Sequence, residues 1–238
     1  MKFGLVLYNL ANQLLTPHKS VVVKTKFGFL VEYPKERINS EQKAMAFRNK
    51  VYEPETSKFL SEHLRKDDVC VDVGAAYGYF SCMFLHYGAR YVYAIEPNRK
   101  IRNTLKGNLA RNGTAWEVVP KAASDVKTTR KLWLTHDTTS NSLSKFHPTL
   151  FNKRVVGSQE VSTDLLDGIV RHERVDVIKI DVEGHELEVL KGAERIILQK
   201  PRILIIECLN DGLAWHHKTD SLGDYSCQKC DKNMIFWR

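Results

Sequence analysis

Three carboxylates and a histidine fall within six residues of the segment Ile178-Lys179-Ile180-Asp181-Val182-Glu183-Gly184-His185-Glu186, directly after an apolar run. A buried parallel strand ending this way delivers its last residues to the C-terminal edge of the sheet, where open α/β folds bind ligands. Carboxylate and imidazole there suit proton transfer. Asp181 is the first choice for the group that orients or deprotonates an acceptor. His185 is second, because an ordinary histidine pKa of about 6.5 suits a base at neutral pH. Lys179 and Glu183 complete the candidate catalytic set. A plainer reading makes Asp181 a helix N-cap, with Glu183 and Glu186 answering the helix dipole; it accounts less well for a lysine between two isoleucines. Asp181, Glu183 and His185 could also ligate a hard cation such as Mg²⁺, but neighbouring loop residues rarely supply a whole site, and no metal is expected.

Earlier in the chain, Asp72-Val73-Gly74-Ala75-Ala76-Tyr77-Gly78 follows another apolar run. Gly74 and Gly78 permit a tight turn whose backbone can approach a ligand, with a helix N-terminus behind it. Asp72 in the same loop disfavours a pyrophosphate and favours a cationic, amino-acid-like ligand; Ala75 and Tyr77 belong to the same candidate surface. Glu96, 24 residues after Asp72 and followed by Pro97-Asn98, has the spacing of an acid that accepts hydrogen bonds from ribose hydroxyls. As a bland alternative, Glu96 caps a helix begun by Pro97. Asp125 could meet an adenine amine, or belong to an ordinary Ser-Asp turn.

These loops need a scaffold, and the hydrophobic pattern supplies one. Strands are predicted at residues 69–73, 91–95, 116–119, 175–180 and 203–208. Helices are predicted at 79–87, 99–111, 162–171 and 186–199, with another opening at Pro54. Near-continuous apolar strands alternating with helices predict a doubly wound, mostly parallel sheet covered on both faces. Residues 131–159, rich in Thr, Ser, Asn and Lys, read as an inserted hairpin and loop. Two short β-type runs at 21–23 and 27–31 predict a small hairpin, and the tail is expected to add the last strand or two. The organisation is therefore an N-terminal extension over 1–50 and one catalytic-type domain over 51–238.

At 238 residues with 43% hydrophobic and 27% charged side chains, the chain can bury one sizeable core. No apolar stretch reaches the ~18 residues of a membrane span. The net charge of +8 is concentrated early, with nine Lys/Arg against three Asp/Glu in residues 1–50. Such an excess is usually a solvated face, and it also suits phosphate, an anionic membrane or an acidic glycan. Residues 3–15 have the spacing of an amphipathic helix, for docking on the domain or for peripheral membrane contact. No secretory signal is expected, and five cysteines, odd in number, fit reduced thiols in a cytoplasmic protein. Cys227-Gln228-Lys229-Cys230 with His216-His217 is a weak zinc pattern, and a redox pair or incidental thiols fit as well.

Taken together, the D-x-G-A-x-x-G loop, the strand ending in Glu96-Pro97 and the Lys179-Ile180-Asp181-Val182-Glu183-Gly184-x-Glu186 signature resemble the FkbM-type S-adenosylmethionine-dependent methyltransferases, over about residues 52–210. The resemblance implies a class I methyltransferase fold with a seven-stranded sheet and O-methylation of a hydroxyl on a saccharide, glycolipid or small natural product. It implies that Asp72, Gly74, Ala75 and Gly78 line the methionine end of S-adenosyl-L-methionine, that Glu96 and Asn98 lie at the ribose, that Asp125 lies near adenine, and that Glu53 and Tyr77 join the cofactor side. His185 falls at a variable position of the signature. The acceptor is expected to be a small molecule or glycan. Nucleic acid, through an RNA 2′-O-methyltransferase, is the less favoured partner, and a non-catalytic cofactor-binding module is the rival from another class. A nicotinamide dehydrogenase is disfavoured by Asp72 and by Ala76 in place of a glycine. Oligomeric state is open.

Overall fold

The protein is described by a computed structural model covering residues 20–35, 42, 44, 45, 48, 50–136, 139–145, 153–208 and 224–238. The amphipathic stretch at 3–15 and the pair His216-His217 lie outside the described residues. Strands β3 (Val69–Val73), β4 (Tyr91–Ile95), β5 (Trp116–Val119), β9 (Val177–Ile180), β10 (Ile203–Glu207), β11 (Ser226–Cys230) and β12 (Asn233–Trp237) form one sheet in the order β11-β12-β10-β9-β3-β4-β5. All pairings from β10 to β5 are parallel, and β12 runs antiparallel to both of its neighbours. This is the doubly wound, mostly parallel seven-stranded architecture that the sequence predicts.

Helices α1 (Pro54–His63), α2 (Tyr79–His86) and α3 (Arg102–Asn112) belong to one face, and α4 (Leu166–Ile169), α5 (Glu186–Lys191) and α6 (Glu194–Leu198) to the other. The core is correspondingly split by the sheet into two apolar layers. Strand β3 is buried along its whole length, which explains why it reads as a continuous apolar run broken only by Asp72.

Two predicted helices differ from the observed structure. Residues 162–164 continue strand β8 (Val155–Asp164), because Thr163 and Asp164 pair with β6 (Ala122–Ala123); helix resumes only at Leu166. β8 also pairs antiparallel with β7 (Thr129–Thr135), so the insertion is a hairpin joined to β6 in a separate three-stranded sheet. The helix predicted at 186–199 is two short helices broken at Gly192-Ala193. A Cβ on Gly192 would lie 2.0 Å from the Ser124 carbonyl oxygen, so this close approach requires glycine, a weak helix former, at the break.

The N-terminal hairpin of β1 (Ser20–Lys24) and β2 (Leu30–Pro34) is fastened to α3 by two asparagines one turn apart. Asn112 accepts from the Leu30 N–H (3.0 Å) and donates to the Leu30 carbonyl (2.8 Å). Asn108, fully buried, accepts from the Glu32 N–H (2.7 Å) and donates to the carbonyls of Glu32 (3.0 Å) and Tyr77 (2.8 Å). The side chains thus act as a ladder partner for an edge strand, and through Tyr77 they also hold the glycine loop. Asn108→Ala leaves buried backbone groups unpaired, and we expect a loss of about 2–4 kcal/mol in urea denaturation. A loss below about 0.5 kcal/mol would show that this side chain is dispensable.

Candidate active site

The loop after β3 turns because two glycines adopt conformations closed to other residues. Gly74 and Gly78 both have φ of 84°, and a Cβ would lie 1.8 Å from the Asp181 carbonyl oxygen and 2.5 Å from Leu105 Cδ1, respectively. The N–H groups of Gly74 and Ala75 donate to the Ile95 carbonyl (3.0 and 3.1 Å), tying the loop to the end of β4. Asp72, buried, accepts from both the N–H (3.0 Å) and the Oγ–H (2.6 Å) of Ser81 in the first turn of α2. Burial pushes its carboxyl up to about 6, against the pull of Lys179.

Glu96 sits at the next strand end. Its Oε2 accepts from the Ala76 N–H (2.9 Å) and its Oε1 from the Asn98 N–H (2.7 Å). Burial outweighs these bonds and pushes Glu96 up to about 7. Asn98 Oδ1 accepts from the Lys100 N–H (3.0 Å), while its Nδ2 is buried with no protein acceptor. Tyr77 packs edge-on against Tyr33 with ring centroids 5.7 Å apart.

The signature strand carries a buried charge. Lys179 is 2% exposed, lies opposite Asp72 in the β3–β9 register, sits 4.6 Å from the Phe80 ring centroid, and donates to Asp181 Oδ2 at 2.8 Å. Burial works against its charge, yet Asp181 and Glu53 hold its pKa above the ordinary lysine value. Burial also works against the Asp181 charge, and there Lys179 and Lys232 win, holding it below the usual carboxylate range. Glu183 and Gly184 turn through left-handed conformations. Glu186 folds back to accept from the N–H groups of Val182 and Gly184 (both 3.1 Å), so it shapes this turn.

His185 is a buried site residue with its own set of partners. Nε2 lies 2.9 Å from Ser124 Oγ and 3.4 Å from Arg130 Nη1, and Nδ1 lies 3.4 Å from Glu188. Arginine can only donate, so Nε2 is the accepting nitrogen and the imidazole is neutral. Burial, its largest influence, lowers the His185 pKa in agreement.

Two lobes of one cleft open to solvent share Gly74, Thr139, Asp181 and Glu183. The smaller is mostly apolar, with Pro97, Ala122, Leu132, Leu143 and Val182 beside Glu96 and His185, and suits a flat nucleoside. The larger carries Tyr33, Tyr52, Tyr77, Tyr79 and Phe80 with Asp72, Ala75, Lys153, Lys179, Glu207 and Lys232. The fold therefore brings Asp72, Gly74, Ala75, Tyr77, Glu96, Lys179, Asp181, Glu183 and His185 to one cleft. Gly78 supports it from behind. Asp125 stands apart: it is exposed, its Oδ1 is 3.2 Å from Ser124 Oγ, and it does not line the cleft. Glu53 is buried behind the cleft wall, where its Oε2 accepts from Asn233 Nδ2 at 2.8 Å.

Two residues that line the cleft escape the sequence reading. Glu207 ends a fully apolar strand, the same signal that marks Asp72, Glu96 and Asp181. Lys232 lies in a hairpin turn and carries no local signal at all. Asp181, Glu183 and Glu207 bring carboxylate oxygens within 4.8 Å of one another. The Lys232 ammonium already contacts Glu207 and lies 3.7 Å from Asp181 Oδ2, supplying the compensation a divalent ion would bring. The ring nitrogens of His185 face Ser124 and Glu188 and not this cluster. Cys227 and Cys230, three apart on one strand, point to opposite faces, one exposed and one buried, so they cannot chelate one ion together.

A mostly parallel sheet with a glycine turn, an acid at the next strand end and a partly buried acid cluster at its C-terminal edge has the architecture of the class I methyltransferase fold. The family model for the methyltransferase FkbM domain matches residues 72–218, and the chain belongs to that family. It is 30% identical over 180 residues to the hexuronic acid methyltransferase AglP of Haloferax volcanii, covering 71% of this chain and 68% of that one. Among solved structures, it resembles the methyltransferase FkbM of Methylobacillus flagellatus KT with 23% identity and a TM-score of 0.52. That match covers 77% of this chain and 47% of the other, so the chain spans about half the length of that relative. It also resembles M. jannaschii TYW2 in complex with AdoMet, with 15% identity, a TM-score of 0.51 and coverage of 94% and 88%. The protein is a methyltransferase. Among the described residues, no helix is long and apolar enough to cross a membrane.

Raised carboxyl pKa values have a consequence for stability. Between pH ~4 and ~7 the folded protein binds more protons at Asp72 and Glu96 than the unfolded chain, so their contribution falls as pH rises through that window. For Glu96 the change is on the order of 3 kcal/mol. Denaturation of the wild type and Glu96→Gln between pH 4.5 and 8 is expected to show a shallower decline in the variant. Parallel curves would contradict the assignment.

Proposed function

We propose that the protein transfers a methyl group from S-adenosylmethionine to a hydroxyl oxygen of a sugar, with a hexuronic acid as the favoured acceptor class. The observation that carries this reading is the Asp181 carboxylate, 2.8 Å from Lys179 Nζ and 3.7 Å from Lys232 Nζ, where the smaller lobe meets the larger, tyrosine-lined lobe. Glu96 retains lone pairs for ribose hydroxyls, and the buried Asn98 Nδ2 is an unused donor beside it. Asp72 and Asp181 suit a ligand with ammonium and sulfonium charges.

When bound, the cofactor supplies an electrophilic methyl group on a cationic sulfur. The protein's task is then to align an oxygen with it, exclude water and accept one proton. Asp181 faces this junction as an acceptor. A depressed pKa is no obstacle, because the hydroxyl becomes a strongly acidic protonated ether as the new C–O bond forms, and even a weak carboxylate base takes that proton. The tyrosines on the lobe wall offer rings to a sugar face. Lys153 lines the same lobe and adds positive charge on the side where an acceptor carboxylate would lie. The hexuronic acid named for the Haloferax volcanii relative supports the same class.

The test incubates labelled S-adenosylmethionine with methyl glucuronide and methyl glucoside and identifies products by mass spectrometry. We expect O-methylated glucuronide, a fall of about 10²–10⁴ in turnover for Asp181→Asn, and about a tenfold rise in KM for glucuronide, but not glucoside, in Lys153→Met. Full turnover by folded Asp181→Asn would remove the proposed base.

A further inference from the structure

The hairpin between β11 and β12 reaches the site from the far end of the chain. Asp231, in a left-handed conformation at its turn, accepts from the N–H groups of Glu55 (3.0 Å) and Thr56 (2.9 Å), and so caps α1. The Glu55 carboxylate accepts in return from the Asp231 N–H (2.8 Å). Thr56 Oγ1 donates to the Cys230 carbonyl (3.3 Å), and Asn233 Nδ2 donates to Thr56 Oγ1 (3.0 Å) and Glu53 Oε2 (2.8 Å). Cys230, Asp231 and Asn233, the residues flanking Lys232, are thereby locked to the first turn of a helix some 175 positions earlier.

The lock aims one side chain. Lys232 Nζ lies 3.6 Å from Glu53 Oε1 and 3.7 Å from Asp181 Oδ2, and it contacts Glu207 Oε1. The charged groups around it come from four elements: Glu53 before α1, Lys179 and Asp181 at the end of β9, Glu183 in the turn after β9, and Glu207 at the end of β10. An ammonium held this way restricts where the Asp181 carboxylate can point.

We propose that Lys232 is a positioning residue that fixes the Asp181 carboxylate toward the acceptor, and that Asp231 is the latch that fixes Lys232. This deepens the proposed function, since it rests on Asp181 serving the acceptor. Lys232→Arg keeps a charge at the turn and Lys232→Met removes it. With S-adenosylmethionine and methyl glucuronide, we expect Lys232→Met to lower kcat about 100-fold with KM for S-adenosylmethionine changed less than about threefold, and Lys232→Arg to recover most of the loss. Asp231→Ala, which leaves Lys232 in place but unlatched, is expected to lower kcat about tenfold and serves as the deciding variant if Lys232→Met does not fold. Crystal structures of the wild type and variants bound to S-adenosylhomocysteine provide a second readout, in which Asp181 is expected to change rotamer in Lys232→Met and Asp231→Ala and to keep it in Lys232→Arg. An Asp181 carboxylate unmoved in the variants, or wild-type kcat in folded Lys232→Met, would overturn the proposal. A wild type that methylates no sugar would sink the proposed function instead, and the Asp181 rotamers would still decide whether Lys232 positions it.

Discussion

A lysine ammonium buried on the face of a parallel sheet, against the Phe80 ring, is the constraint around which the site is arranged. Lys179 is 2% exposed in a sheet face that otherwise presents Ala94 and Ile205 beside Asp72. Removing a charge from water costs several kcal/mol unless it is paired at short range. Asp181 supplies the pair from the same strand, which draws its side chain back over the sheet edge. Its backbone carbonyl then lies so close to the loop after β3 that position 74 admits only glycine. One buried charge thus dictates the strand end, the loop and the residue types in both.

The array is not explained by stability. Buried ion pairs of this kind are often matched by apolar residues of similar volume, whereas breaking one by removing a single partner costs about 3–5 kcal/mol. The balance of signs indicates what it is for. Glu53, Asp72, Asp181, Glu183 and Glu207 gather around the ammonium groups of Lys179 and Lys232, and among the described residues Lys153 also lines the same lobe. Burial and the neighbouring Asp181 keep the Glu207 carboxyl raised, and Asp72 is raised as well. Crowded carboxylates destabilise the folded protein by themselves, and a cationic ligand relieves them. Here folding stability is set against affinity for positive charge, a trade common in binding sites.

Much of this was legible in the chain because the signals are local. Glu96 and Asp181 each end an apolar run and Asp72 interrupts another one residue from its end, and an acid at the mouth of a buried strand is conspicuous in one dimension. Glu207 carries the same mark, but its Asp211-Gly212 turn signal comes only after Cys208-Leu209-Asn210, away from the strand end. What failed to show depends on pairing between distant segments. Residues 162–164 have a helical pattern locally and become strand because β6 lies beside them. His185 has the residue type of a base, yet Ser124 and Glu188 decide where its nitrogens point. Lys232 is invisible for a stronger reason: its meaning is created by the register of a hairpin and by a helix cap near the other end of the domain.

That origin has a mechanical consequence. The turn that carries Lys232 connects β12 to β11, the strand at the edge of the seven-stranded sheet, whose residues 226–229 are exposed. Edge elements with few buried contacts open at lower free energy than central strands. The Asp231–α1 latch opposes such opening at the point where it would reach the cleft, because the turn cannot move without uncapping a helix whose Phe59 and Leu60 are packed in the core. On the proposed role of Lys232, the acceptor side of the site is therefore coupled to a region less stable than the β3–β9 centre that holds Lys179 and the nucleoside lobe. Gentle perturbation at the edge should weaken the positioning of Asp181 while leaving Glu96 and the glycine loop in place, so that acceptor chemistry is lost before nucleoside binding as the fold loosens.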